Sequence, residues 1–289
     1  MPLDANPTIA VIGCGTLGTA LATGILAPKD TSDSPKFTIK HLIATAGTAS
    51  SKRAASKTPS PNTNADVVLL AVKPIKREDV FSIPGFKEAI RGKIVISIMA
   101  GITTAELARL IYGNDDDDDN DEHNNSNERV NLQAIRAMPN MAARIRSAVT
   151  LYTSTPTTTP STLSFTHWLF TQVGTAQSIP EKSFDICAVL VGCAGSLLLL
   201  VIDGLLDAAV AEGVRRPEVQ DLVVNSAIGM MRLVPEAGDH PGLLREKIAS
   251  PGGCSIRALL ELERLGVRSA FTGAILKAAE RSREMSGSR

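Results

Sequence analysis

The stretch TIAVIGCGTLGTALATGIL, residues 8–26, restricts the fold more than any other part of the chain. An apolar run ends in Gly13-x-Gly15-x-x-Gly18, and an apolar helical pattern begins at once. Each glycine has its own use in a strand–turn–helix unit. Gly13 permits the tight turn, Gly15 lets a pyrophosphate approach the backbone, and Gly18 lets helix and strand pack closely. The loop Gly13, Cys14, Gly15, Thr16, Leu17 and Gly18 therefore reads as a dinucleotide cradle at the positive end of a helix.

The pattern continues beyond this unit. Apolar runs at 8–13, 37–44, 65–72, 92–99, 131–138, 148–153 and 175–180 alternate with helical patterns near 16–27, 103–112 and 161–173. That rhythm predicts an α/β domain of Rossmann type, with a mostly parallel sheet, over residues 1–180. From residue 181 strands cease. Helices are expected near 182–213, 216–235, 240–249, 255–265 and 267–285, giving an all-α C-terminal domain over 181–289. Within the first of them, Ile186–Ile202 is 17 residues without a charge, bracketed by Asp185 and Asp203. A membrane span needs about 20 apolar residues, so a helix covered by a second subunit is the expected outcome. The chain should self-associate.

Charge is less balanced than it looks. Lys plus Arg equals Asp plus Glu at 30 each, but eight of the acids fall in 113–128: Asp115 to Asp119, Asp121, Glu122 and Glu128. The rest of the chain keeps 22 acids against 30 bases. Such an excess suits an anionic small ligand and is too diffuse for nucleic acid. The acidic tract lacks the Gly and terminal Glu spacing of a calcium loop, and reads as a surface insertion that cannot bury enough to order itself. The four cysteines show no metal-ligand spacing, so no metal is expected. With no leader-like pattern in MPLDANPTIAVIGCG, a reducing cytoplasmic setting is expected.

No Asp or Glu ends the second strand, where NAD enzymes hold the ribose hydroxyls. Thr45, Thr48, Ser50, Ser51, Lys52 and Arg53 stand there instead and suit a 2′-phosphate, so NADPH is expected over NADH. Ala71, Val72, Lys73 and Pro74 end the third strand, and Met99, Ala100 and Gly101 end the fourth. All lie at the C-terminal edge of a parallel sheet, where open α/β sheets bind ligands. Near the other end, IASPGGCSI places Ser250, Gly252, Gly253, Cys254 and Ser255 at a turn that opens a helix. The helix start either holds a carboxylate or phosphate on its free N–H groups or is a plain turn with a capping serine.

These blocks, with ADVVLLAVKP, ISIMAGIT, RAMPNM, HPGLLREKIASPGG and LELERLGVRSAF, occur in the order found in pyrroline-5-carboxylate reductases, which the chain resembles over nearly its whole length. The resemblance implies an N-terminal dinucleotide domain and a helical domain that interlocks with a partner subunit as a homodimer or a larger assembly of dimers. It implies NAD(P)H-dependent reduction of a cyclic imine, 1-pyrroline-5-carboxylate, to proline. It sets Met138, Pro139 and Asn140 near the cofactor, with Asn140 also near the substrate. The N–H groups around Gly252, Gly253, Cys254 and Ser255 are placed to cradle the substrate carboxylate, Ser250 is a further substrate-binding residue, and Ser255 stands where the family has its reactive-site threonine. His240 reads as a turn position opening a helix.

The chain also departs from the family pattern. Where the family has Asp-x-x-Thr-x-Leu-Ser-Gly-Ser-Gly-Pro-Ala-Tyr, this sequence reads DICAVLVGCAGSLL from Asp185. Ala188 replaces the Thr, Val191 and Cys193 replace two serines, Gly195 the Pro and Leu197 the Tyr. After Met138-Pro139-Asn140 stand Met141 and Ala142 in place of Thr-Pro. Three readings stay open: the parent reaction, reduction of a substituted pyrroline carboxylate or other cyclic imine, and a catalytically silent NADP-binding dimer.

Overall fold

A computed structural model describes Leu3 and residues 6–28, 37–45, 65–113 and 132–285. The acidic tract after Gly113, with Thr48, Ser50, Ser51, Lys52 and Arg53, lies outside the described residues. The chain forms two compact units, residues 1–192 with 279–289 and residues 193–278. The division thus falls inside the first C-terminal helix, whose start at Glu181 is where the sequence places the change from sheet to helices.

In the first unit the order is β1 (Thr8–Ile12), α1 (Thr16–Leu26), β2 (His41–Thr45), β3 (Val67–Leu70), α2 (Arg77–Phe81), α3 (Phe86–Ile90), β4 (Ile94–Ser97), α4 (Thr104–Tyr112), β5 (Gln133–Pro139), β6 (Ala148–Ser154), α5 (Pro160–Thr171) and β7 (Gly174–Ser178). The seven strands make one sheet in the order β2-β1-β3-β4-β5-β6-β7. Every pairing is parallel except β5 with β6. A parallel return needs a crossover of a dozen or more residues, and Asn140–Ser147 is too short for one. The mostly parallel sheet expected from the alternation is the one that forms.

Every residue of β3 and β4 is buried, as strands covered on both faces must be. On one face Ile9, Val11, Leu69 and Ile96 pack with Leu21 and Ile25 of α1 and Phe165 and Leu169 of α5. On the other, Val68, Leu70 and Val95 pack with Phe81, Ile90, Leu107 and Ile111. The two short helices α2 and α3 escape the periodicity argument. Five residues each, they are parted by a turn in which Gly85 takes φ 77, so neither gives a full repeat. Thr103 and Thr159 cap α4 and α5 by accepting the N–H of Glu106 and Thr162.

The helical part comprises α6 (Glu181–Ala211), α7 (Arg216–Ala237), α8 (Pro241–Ile248), α9 (Cys254–Arg264) and α10 (Val267–Met285). His240 is the N-cap of α8, its Nδ1 accepting the Gly242 N–H at 3.1 Å. Arg216 at the start of α7 pairs with Asp203 and Asp207 of α6. Of the hydrophobic residues between 193 and 278, only Leu206 and Leu244 are buried. Leu199 and Leu200 are 67% exposed, Leu222 69%, Leu260 62% and Leu276 60%. Between α6 and α7 runs a groove of about 560 Å³ whose lining is Leu199, Leu200, Ile202, Leu206 and Val224 together with the polar Ser196, Asp203 and Gln220. One copy of this unit leaves its apolar surface in water. Such a surface marks an interface.

Candidate functional site

The Gly-rich loop is built as its spacing implies. Gly13 has φ 96, and a Cβ there would lie 2.7 Å from Val72 Cγ1 and 3.0 Å from the Ala71 carbonyl. Only glycine takes that backbone region at no steric cost. A Cβ on Gly18 would meet the Gly13 oxygen at 2.2 Å, so α1 sits tight against the loop. At Gly15, by contrast, a Cβ would meet nothing within 4 Å. The space above Gly15 is open to a ligand, α1 has no side-chain cap, and no acid occupies its first turn. Unpaired N–H groups and the helix dipole favour an anion there, so the residues fit a dinucleotide pyrophosphate. Cys14 is buried, and burial pushes its thiol pKa up, which keeps it a neutral packing group rather than a nucleophile.

Thr45 has a role the sequence did not disclose. Its carbonyl accepts the N–H groups of Gly13 and Cys14 at 3.1 and 3.0 Å, and its hydroxyl donates to the Val11 carbonyl at 3.4 Å. The end of β2 thereby holds the loop. Ala71 and Val72, after β3, touch Gly13, and Lys73 and Pro74 follow at the same edge. Ala100 and Gly101 follow β4, the next strand over, with Gly101 buried at φ 77.

The end of β5 carries a third group of residues. Arg136, Met138 and Asn140 share one side of the chain, since side chains alternate along extended backbone. Arg136, 3% exposed, reaches Glu181 at 2.9 Å, hydrogen-bonds Asp185, and stacks its guanidinium 4.3 Å from the Phe184 ring centre. It fixes the start of α6 on the sheet. One step along, Met138 joins the cluster of Leu151, Phe184, Ala188, Cys187 and Val191. Its Cε lies 3.9 Å from where a Cβ on Gly192 would be. Packing thus joins RAMPN to the first half of DICAVLVGCAGSLL, and the contact is apolar. Reading the sequence missed Arg136, although a lone Arg inside an apolar strand is itself a signal, because a buried guanidinium requires acidic partners.

In the second unit, Ser250-Pro251-Gly252-Gly253 forms a β-turn closed by the Gly253 N–H on the Ser250 carbonyl at 3.1 Å. Gly252 has φ 72, so the turn is type II, with Pro and Gly at its two central positions. A Cβ on Gly253 would lie 2.7 Å from Ser250 Oγ. Gly253 is the N-cap of α9, no side chain caps that helix, and no acid lies in its first turn. Helix geometry leaves the N–H groups of Cys254, Ser255 and Ile256 without acceptors inside the helix. Cys254 and Ser255 are exposed, as are Ser250, Pro251 and Gly252, while Gly253 is half-buried.

Comparison with known proteins agrees with this architecture. A family model for pyrroline-5-carboxylate reductase dimerisation matches residues 181–285, and one for NADP oxidoreductases described as coenzyme F420-dependent matches residues 8–101. The pyrroline-5-carboxylate reductase of Lophium arboricola is 34% identical over 94% of this chain and 91% of its own. That of Methanosarcina acetivorans is 31% identical over 97% of this chain and 98% of its own. Among solved structures, Streptococcus pyogenes 1-pyrroline-5-carboxylate reductase superposes with TM-score 0.80 at 24% identity, covering 97% of this chain and 100% of its own. Plasmodium falciparum pyrroline carboxylate reductase with NADP bound gives 0.79 at 23%, covering 98% and 99%. By length and composition α6 would also cross a membrane. Its place in the matched dimerisation region instead accounts for the exposed leucines as a surface for a second copy. With a Gly-rich loop on a parallel sheet, a Ser-Pro-Gly-Gly turn opening a helix, and relatives aligned across both, the chain belongs to the pyrroline-5-carboxylate reductase family.

Proposed function

We propose that this chain reduces 1-pyrroline-5-carboxylate to L-proline with NADPH in preference to NADH. It would act in the cytoplasm as an interlocked homodimer or an assembly of such dimers, and away from nucleic acid and membrane. The observation that carries the reading is the type II turn at Ser250–Gly253, which presents an uncapped helix start beside a serine hydroxyl. The substrate's carboxylate would lie on the N–H groups of Gly253, Cys254 and Ser255, where the helix dipole favours a negative charge. Each such turn would complete a site on the partner subunit.

NADPH supplies the hydride when bound. The chain's own part is to hold and orient. The loop from Gly13 to Gly18 takes the pyrophosphate, and Ser50, Lys52 and Arg53, with Thr45 at the strand end, would take the 2′-phosphate side. Ala71 to Pro74, Ala100 and Gly101 would hold the cofactor along the sheet edge, and Met138, Pro139 and Asn140 would hold its far end. Ser255 Oγ faces the imine nitrogen and positions it in its protonated form, or relays a proton from water; a serine hydroxyl is too weak an acid to supply one alone.

A second reading has a specific observation behind it. Ala188 and Val191 stand where the family pattern carries hydroxyls and pack with Met138 in one apolar cluster, which favours a pyrroline carboxylate with an added apolar group. NADPH oxidation measured with 1-pyrroline-5-carboxylate and then with alkyl-substituted analogues ranks the two. Turnover of neither, with NADPH still bound, sinks both and leaves a silent dimer. Ser255→Ala should lower turnover on the order of ten- to a thousandfold, as for loss of one transition-state hydrogen bond, and leave Cys254→Ala close to wild type. The reverse ranking would mean the reacting group is Cys254.

A further inference from the structure

Asn140 ends the row on β5 that begins with Arg136 and Met138. Its backbone, at φ −100 and ψ 172, stays extended past the end of the strand at Pro139, so its side chain continues on the same side. Arg136 is satisfied by Glu181 and Asp185, and Met138 by the apolar cluster on α6. Asn140 is different: its Oδ1 is buried and has no hydrogen-bond partner among the described residues. An acceptor left in that state costs about 1–3 kcal/mol, and a native structure that keeps one does so for strain, for a bound water or ion, or for a part in the site's function. The partner has to be a donor.

The position of Asn140 says which donor. β1, β3, β4 and β5 are successive neighbours in the sheet, so β5 lies three strand spacings from the Gly-rich loop, about 14 Å at about 4.8 Å per spacing. A dinucleotide with its pyrophosphate over Gly15 runs along this C-terminal edge and brings its nicotinamide end to the last of these strands. The hydrogen-bond donor on that ring is the NH2 of its carboxamide. We infer that Asn140 Oδ1 accepts this N–H and so fixes the rotation of the ring and the face it turns to the substrate. The inference rests on reading the chain as an NADPH enzyme and adds an atom-level role to it. Asn140 is therefore a residue of cofactor recognition, and the imine nitrogen is left to Ser255.

A cofactor analogue isolates the contact. In the reduced 3-acetylpyridine analogue of NADPH a methyl group replaces the NH2 and the carbonyl is kept. Binding to the full-length protein is measured by calorimetry for NADPH, for this analogue, and for 2′-phospho-ADP-ribose, which has no nicotinamide. Wild type should bind NADPH roughly five- to thirtyfold tighter than the analogue, as expected for one hydrogen bond to a buried acceptor. Asn140→Leu should bind the two alike and bind 2′-phospho-ADP-ribose as wild type does. Asn140→Asp, which keeps an oxygen at the same reach, should retain the preference. The inference falls if Asn140→Leu keeps the discrimination, if wild type never shows it, or if Asn140→Asp loses it as Leu does, since the amide nitrogen would then be the contact. Failure of wild type to bind 2′-phospho-ADP-ribose is a separate result, which sinks the dinucleotide reading itself.

Discussion

Removing the side chains of Leu199 and Leu200 should dissociate the assembly. Burial of a whole leucine side chain contributes about 1.5–3 kcal/mol, and each of these is 67% exposed in the single chain. Roughly two-thirds of that, about 1–2 kcal/mol per residue, is thus still to be gained on association. A two-fold dimer uses each residue twice, so Leu199→Ala with Leu200→Ala forfeits about 4–8 kcal/mol if all four side chains become covered. The dissociation constant then rises on the order of a thousandfold to a millionfold. Sedimentation velocity over a dilution series reads this directly. Leu26, also 67% exposed but at the end of α1 in the first unit, is the control, and Leu26→Ala should leave the dissociation constant where it was. A double variant that sediments as wild type at every concentration would refute the assignment of this surface to a second copy. Monomeric wild type at micromolar concentration would refute it more broadly.

Arg136→Met should destabilise the first unit by about 2–3 kcal/mol in urea unfolding, with Glu181 and Asp185 left facing the apolar cluster; the full cost of a broken buried pair is higher, but these carboxylates are 38% and 27% exposed and keep some water. An unchanged unfolding midpoint would mean that the Arg136 pairs contribute nothing net. His240→Ala removes the N-cap of α8 and should lower stability by about 0.5–2 kcal/mol, while His240→Asn, which keeps an acceptor, should largely restore it. Thermal melts of the three proteins check this, and equal melting of Ala and Asn variants would show the cap to be idle.

Much of the fold was legible because the signals that carry it are periodic. Strand and helix positions followed from alternation of apolar runs, and the Gly-rich loop followed from spacing, since Gly13 and Gly18 answer steric demands the structure repeats and Gly15 leaves open space. What stayed hidden are contacts between residues distant in sequence. Nothing in RAMPN announces that Arg136 meets Asp185, or that Thr45 holds the Gly13 loop through its carbonyl, which every residue type possesses. Backbone conformation at a single position is equally silent. Arg146, closing the 3-10 turn Met141–Ile145, sits at φ 55 and ψ 35, among the described residues the one non-glycine with positive φ. For an L-residue that region costs about 1–2 kcal/mol, and glycine enters it freely. Glycine also gives the unfolded chain more freedom, which offsets about 0.4–1 kcal/mol of the relief. Arg146→Gly should therefore gain roughly 0.5–1 kcal/mol from the backbone, a rise of about 1–4 °C in melting temperature for a chain of this size, less what Arg146 contributes through its own contact. The Arg146 backbone N–H, shared between the Ala142 and Ala143 carbonyls, survives the change. A fall in melting temperature would show that the Arg146 side chain contributes more than its backbone strain removes.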